Sequence, residues 1–95
     1  KLDLVLSDMA PKISGVRIVD DSASRELAEE AFSTAFTYLA PGGRMVAKLF
    51  QGPEAQSFMA DAKECFLKTV LFKPAASRSE SREVFVVADG FKAVR

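Results

Sequence analysis

The sequence predicts an α/β domain with the element order β-α-β-α-β-β. Its sheet is expected to be mostly parallel, with one antiparallel strand near the edge. Three observations carry this reading. Short apolar runs at Leu2–Leu6, Met45–Phe50, Lys68–Lys73 and Glu83–Ala88 have the length and aliphatic content of strands. Two longer stretches between them repeat apolar residues at helical spacing. Proline and glycine punctuate the junctions, at Pro11, Pro41-Gly42-Gly43 and Gly52-Pro53. Strands joined through a helix pair in parallel with right-handed crossovers, whereas the last two, joined by a loop alone, require one reversal.

The first run opens LDLVLSDMAP, and Leu2, Leu4, Val5 and Leu6 suit a strand buried on both faces. Pro11 cannot extend a ladder and biases Ala10 away from helix, so the strand ends near Ser7–Asp8. Asp8 is thereby placed at the carboxyl end of a central strand, the edge where open α/β sheets bind ligands. Lys12–Val19 reads as a loop, and Asp20, Asp21 or Ser22 can cap the helix that follows. From Ala23 to Leu39 the apolar stripe is Leu27, Ala28, Ala31, Phe32, Ala35, Phe36 and Leu39. Arg25, Glu26, Glu29, Glu30, Ser33 and Thr37 form the opposite, solvated face. Pro41-Gly42-Gly43 then stops the helix.

Met45–Phe50 is the second strand and holds Lys48. Pro53 at the first helical position, beside Glu54, opens a second helix with the buried stripe Phe58, Met59, Ala62, Cys65 and Phe66. Lys68–Lys73 is the third strand, Pro74–Arg82 a polar loop, and Glu83–Ala88 the fourth strand, closed by Gly90. The eight phenylalanines are expected to supply most of the core, with Met9, Met45 and Cys65 as packing residues.

Composition narrows the chemistry. At 48% hydrophobic and 27% charged, 95 residues make one small globular domain. The absence of histidine removes Ser–His and Cys–His catalysis and most zinc chemistry, so no metal is expected. The lone Cys65 allows no internal disulfide. No apolar run approaches the roughly 18–20 residues of a membrane span, and no leader segment is visible, so no membrane association and a cytoplasmic location are the default expectations. The net charge of zero is unevenly spread. Lys68, Lys73, Arg78 and Arg82 face only Glu80 within one segment, which reads either as solvated loop charge or as a phosphate contact.

Three charged residues stand out by position: Asp8 ends the first strand, Lys48 lies in the second and Glu83 opens the fourth. Charges in strands are costly to bury unpaired. If Asp8 and Lys48 project from neighbouring parallel strands they can meet. On spacing alone they read first as a structural ion pair at a sheet rim. The second reading is a partly desolvated lysine that acts as general base once its proton is shed.

The motifs then decide between these. SDMAP at Ser7–Pro11 followed by Ser14-Gly15, LAPGG at Leu39–Gly43, KLFQG at Lys48–Gly52, Lys73-Pro74, and SRSESREVFVVA at Ser77–Ala88 together resemble the FtsJ/RrmJ family of RNA 2′-O-ribose methyltransferases. The resemblance runs from Leu2 to about Gly90 with its spacing kept. It implies a Rossmann-like class I methyltransferase sheet and S-adenosylmethionine as cofactor. RNA, ribosomal RNA of the large subunit above all, is the implied substrate and partner. Asp8, Lys48 and Glu83 match three members of the family's Lys–Asp–Lys–Glu tetrad. By that match Lys48 is the base toward the ribose 2′-hydroxyl, Asp8 serves both cofactor and catalysis, and Glu83 orients the lysine or the ribose. Arg78 and Arg82 are the implied phosphate contacts.

The family's glycine-rich cofactor loop, its two cofactor-binding acids and the first tetrad lysine have no counterpart in residues 1–95. The chain, which enters a strand directly at Lys1, is therefore expected to be a single partial domain, the carboxyl-terminal half of a methyltransferase catalytic domain and inactive by itself. Its Leu2–Leu6 strand would then be an exposed apolar edge open to association. The alternative function is a non-catalytic RNA-binding or scaffold module on a decayed methyltransferase fold.

Overall fold

The computed structural model describes residues 1–9, 11–74 and 82–92. Its elements are β1 (Leu2–Ser7), α1 (Arg17–Tyr38), β2 (Leu39–Phe50), α2 (Pro53–Lys63), β3 (Phe66–Phe72) and β4 (Glu83–Phe91). The strands lie side by side in the order β1-β2-β4-β3. β1 and β2 are parallel, and β4 runs antiparallel to both β2 and β3. β1, β2 and β3 thus point one way, and the reversed strand stands one place from the edge, as the connections require. The expectation that the first three strands pair with one another needs correcting at β3, because β4 inserts between it and β2. The burial explains the order: Val84, Val86 and Ala88 of β4 are fully buried, whereas Leu67, Val70 and Phe72 leave β3 exposed as an edge.

Alternation along the strands builds one core. Met45, Ala47 and Leu49 of β2 lie opposite Ala88, Val86 and Val84 of β4, and Val5 of β1 pairs with Met45. Against this face α1 lays Ala28, Ala31 and Ala35, and α2 lays Ala55, Phe58 and Ala62. Small side chains let both helix backbones approach the sheet closely. Phe32 and Phe58 meet edge-to-face at 5.8 Å, which joins the two helices on the same side. On the other face Leu4, Leu6, Val70 and Phe72 are exposed, with no described element packed over them.

Several expectations are corrected here. Only Val5 of β1 is buried, and Leu2, Leu4 and Leu6 are exposed, because β1 is an edge strand with one covered face. α1 begins six residues before Ala23, with Val16 as its N-cap, so Arg17–Ser22 are helical and none of Asp20, Asp21 or Ser22 is the cap. The helix does stop ahead of Pro41, but β2 already starts at Leu39 and includes Pro41-Gly42-Gly43. The ladder to β1 shifts there: Leu2 pairs with Leu39, yet Leu4 pairs with Arg44. Cys65 and Phe66 are buried but lie past α2, in the turn and the first position of β3. Phe36 and Phe72 are exposed rather than core, as is Met9. Arg25, expected on the solvated face, bridges the helices instead. It donates to Glu29 at 2.7 Å, Glu54 at 3.2 Å and Asp61 at 2.9 Å, and lies over the Phe58 ring.

Candidate active site

Register brings the three singled-out charges together. Ser7 pairs with Ala47 in the parallel ladder, so the next residue, Asp8, comes level with Lys48 as β1 ends. In the antiparallel ladder Lys48 pairs with Phe85 and Phe50 with Glu83. The two-residue period puts Glu83 on the same face as Phe85 and Lys48. The Lys48 ammonium nitrogen stands 3.1 Å from Asp8 Oδ1 and 3.6 Å from Glu83 Oε2. Its side chain is only 14% exposed, against 69% for Asp8 and 41% for Glu83. The amine of a largely buried lysine is thus held between two carboxylates that both reach solvent. Such an amine can anchor an anion or exchange a proton with a hydroxyl brought to the opening.

Among the described residues the buried polar side chains are Asp20, Asp21 and Ser24, all on α1, and they bond to segments that adjoin this centre. Asp20 accepts from the Ser14 amide at 2.8 Å, the Ser14 hydroxyl at 2.7 Å and the Gly15 amide at 3.2 Å, tying down the loop that follows Asp8. The Ser14 hydroxyl bond is the main reason its carboxyl lies below the ordinary range. The Ser14 and Gly15 amides and the charge of Arg82 add to it, while burial opposes. Ser24 Oγ accepts from the Phe50 amide at 3.1 Å, two residues beyond Lys48. Asp21 Oδ1 accepts from Arg82 Nη2 at 2.5 Å, next to Glu83. The Arg82 guanidinium also stacks over the Phe50 ring at 5.1 Å, and the Gln51 amide donates to the Arg82 carbonyl at 2.6 Å. Sequence reasoning missed Asp21 and Ser24. The signal was present: Asp21, Ser24, Ala28, Ala31 and Ala35 follow a strict 3-4-3-4 spacing, so the two polar residues continue the buried stripe.

Arg82, expected to be a phosphate contact, is therefore engaged with Asp21 and Phe50. Arg78 lies outside the described residues. Beside Asp8 a pocket of about 280 Å³ opens between β1 and α1, lined by Leu6, Asp8, Met9, Glu30 and Thr34 among others. Among the described residues no group of three or more His, Cys, Asp or Glu side chains is gathered for a metal ion, and no helix is long and apolar enough to cross a membrane.

Comparison with known proteins identifies the family. The family model for FtsJ-like methyltransferases matches residues 1–91. The chain is 49% identical over 90 residues to the ribosomal RNA large subunit methyltransferase E of Cellvibrio japonicus. To the protein of that name from Stutzerimonas stutzeri it is 48% identical over 90 residues. Each match covers 95% of this chain but only 43% and 44% of the respective relative, so the chain spans less than half their length. A crystal structure described as a ribosomal RNA methyltransferase from Plasmodium falciparum matches with a TM-score of 0.85 at 28% identity, over 96% of this chain and 47% of that one. The sheet and helices are those of the Rossmann-like methyltransferase fold over that span. With its motifs, topology and family match in agreement, the chain belongs to the FtsJ-like methyltransferase family.

Proposed function

We propose that the protein is an S-adenosylmethionine-dependent ribose 2′-O-methyltransferase that acts on large-subunit ribosomal RNA in the cytoplasm. The observation that carries the reading is Lys48, its side chain largely buried and its amine flanked by Asp8 at 3.1 Å and Glu83 at 3.6 Å. The names of its relatives, ribosomal RNA large subunit methyltransferases, support the substrate class.

S-adenosylmethionine, when bound, supplies an electrophilic methyl carbon on a sulfonium leaving group. Asp8 is the residue of this chain suited to hold it, because its carboxylate is open on the side away from Lys48 and borders the pocket beside β1. A cation placed there meets a negative charge already oriented by the strand end. Lys48, as the free amine, would take the 2′-hydroxyl proton at Nζ while the ribose oxygen bonds to the methyl carbon, whose bond to sulfur breaks with its electron pair left on the thioether. The positive charge that Nζ gains falls between Asp8 and Glu83, whose carboxylates stabilise it without rearranging. Glu83 also restrains the lysine chain, so that its lone pair meets the hydroxyl in line. Phosphate contact is assigned to Arg78, since Arg82 is held by Asp21.

Methyl transfer from labelled S-adenosylmethionine to ribosomal RNA, followed by mapping of the product, tests the reading in the full-length protein. The label should appear on a ribose 2′-oxygen, and Lys48→Ala should lower turnover by about 10²-fold or more while cofactor affinity stays near wild type. A base-linked methyl product, or undiminished turnover in Lys48→Ala, would overturn it.

A further inference from the structure

We propose that the N-terminal half of α1 is a positioning brace for the reaction centre, with Asp21 and Ser24 as its positioning residues. The inference rests on reading Asp8, Lys48 and Glu83 as the methyl-transfer site, and it adds residues that touch none of the reacting atoms. The three polar side chains buried on α1 each reach a different partner outside the helix: the Ser14-Gly15 loop that follows β1 for Asp20, the Phe50 amide for Ser24, and the side chain of Arg82, the neighbour of Glu83, for Asp21. Asp20 fixes the loop after Asp8, Ser24 fixes the backbone two residues past Lys48, and Asp21 fixes Arg82 beside Glu83.

Packing alone does not call for them. Ala28, Ala31 and Ala35 fill the same stripe further along the helix, and a buried carboxylate costs free energy unless it is paired. Here every one is paired, and each pairing crosses from the helix to a strand end or loop. Asp21 does the most. Its partner Arg82 sits over the Phe50 ring and accepts the backbone bond from Gln51, so β2 and β4 are clamped at the end of the ladder where Phe50 pairs with Glu83, two residues past Lys48. Lys48 and Glu83 stand 3.6 Å apart beside that junction. A shift of about 1 Å in such a site can cost up to about 10²-fold in rate.

The test is steady-state methyl transfer by the full-length protein, comparing Asp21→Asn, Ser24→Ala and Glu83→Gln, and combining Asp21→Asn with Glu83→Gln. Asp21→Asn should lower kcat about tenfold, with KM for RNA and cofactor within about twofold. In the Glu83→Gln background the same change should lower kcat by less than about twofold, because the brace acts through Glu83. Ser24→Ala removes one hydroxyl and no charge, so it keeps the test open if Asp21→Asn folds poorly; its kcat should fall about threefold at unchanged KM. Wild-type kcat in both variants with only a lower unfolding midpoint would overturn the brace, as would independent, multiplicative effects of Asp21→Asn and Glu83→Gln. Lys48→Ala, measured alongside, separates the two ideas. If it is inactive while Asp21→Asn and Ser24→Ala turn over normally, the brace alone fails. If Lys48→Ala remains active, the site reading fails and takes the brace with it.

Discussion

Lys48 sits where an ion pair and a general base share the same surroundings. A lysine kept for structure needs one good partner, and Asp8 at 3.1 Å supplies it. The second carboxylate, Glu83 at 3.6 Å, makes the ammonium form more favourable still, so a base role requires the bound reactants to draw off that proton. Asp20 is the titrating residue with the clearest consequence for stability. Its carboxyl is held below the ordinary value of 3.8, first by the Ser14 hydroxyl, so the folded state favours its ionised form. A depressed carboxylate adds stability that is present above the unfolded value and is lost as pH falls through the folded one. The stability difference between wild type and Asp20→Asn should therefore be flat from about pH 5 to 8 and shrink below about pH 4. Chemical unfolding at a series of pH values measures it, and a difference that grew on acidification would contradict the assignment. That Asp8, Lys48 and Glu83 meet was legible in the sequence, because two of them flank or enter neighbouring strands and the motifs around all three are specific. Asp21 and Ser24 were overlooked, because Asp21 read as a cap candidate and polar residues are not expected to continue a buried stripe, although their spacing does.

Among the elements, α1 and β2 show where local signals mislead. α1 starts at Arg17 without a side-chain cap, and its first turns are held from outside by Asp20 gripping Ser14 and Gly15. No propensity argument reveals a tether of that kind. In β2 the Pro41-Gly42-Gly43 stretch keeps its role as a helix stop, yet the strand runs through it by shifting the ladder to β1. Gly42 adopts φ of 86°, open to glycine at little cost. Gly43 is needed for space: a Cβ there would stand 2.7 Å from Leu39 Cγ and 2.9 Å from the Ala40 carbonyl oxygen. Gly43→Ala should destabilise the fold by about 1–3 kcal/mol, read as a lower denaturant midpoint at unchanged slope. An unchanged midpoint would mean that the turn relaxes freely.

At the scale of the molecule, hydrophobic pattern and chain connections were enough for the element order and for one reversed strand. They could not show that β4 lies between β2 and β3, since a loop of that length reaches either edge. Nor could they show that both helices share one face. That asymmetry leaves Leu4 and Leu6 exposed on the outer face of edge strand β1, an apolar ladder open to pairing. Residues 1–95 expressed alone should self-associate through this edge, and Leu4→Lys with Leu6→Lys should shift sedimentation toward monomer. If the double variant associates as strongly as the parent, contact occurs elsewhere.

The claim at the centre of this account is that Lys48 carries a proton rather than merely a charge. Lys48→Arg tests it most directly, because arginine keeps the positive charge and the pairing with Asp8 and Glu83 but does not give up its proton. Methyl transfer by the full-length Lys48→Arg protein should fall by about 10²-fold or more, with its unfolding midpoint and cofactor affinity near wild type. Turnover within a few-fold of wild type would contradict the account and leave Lys48 as an electrostatic anchor.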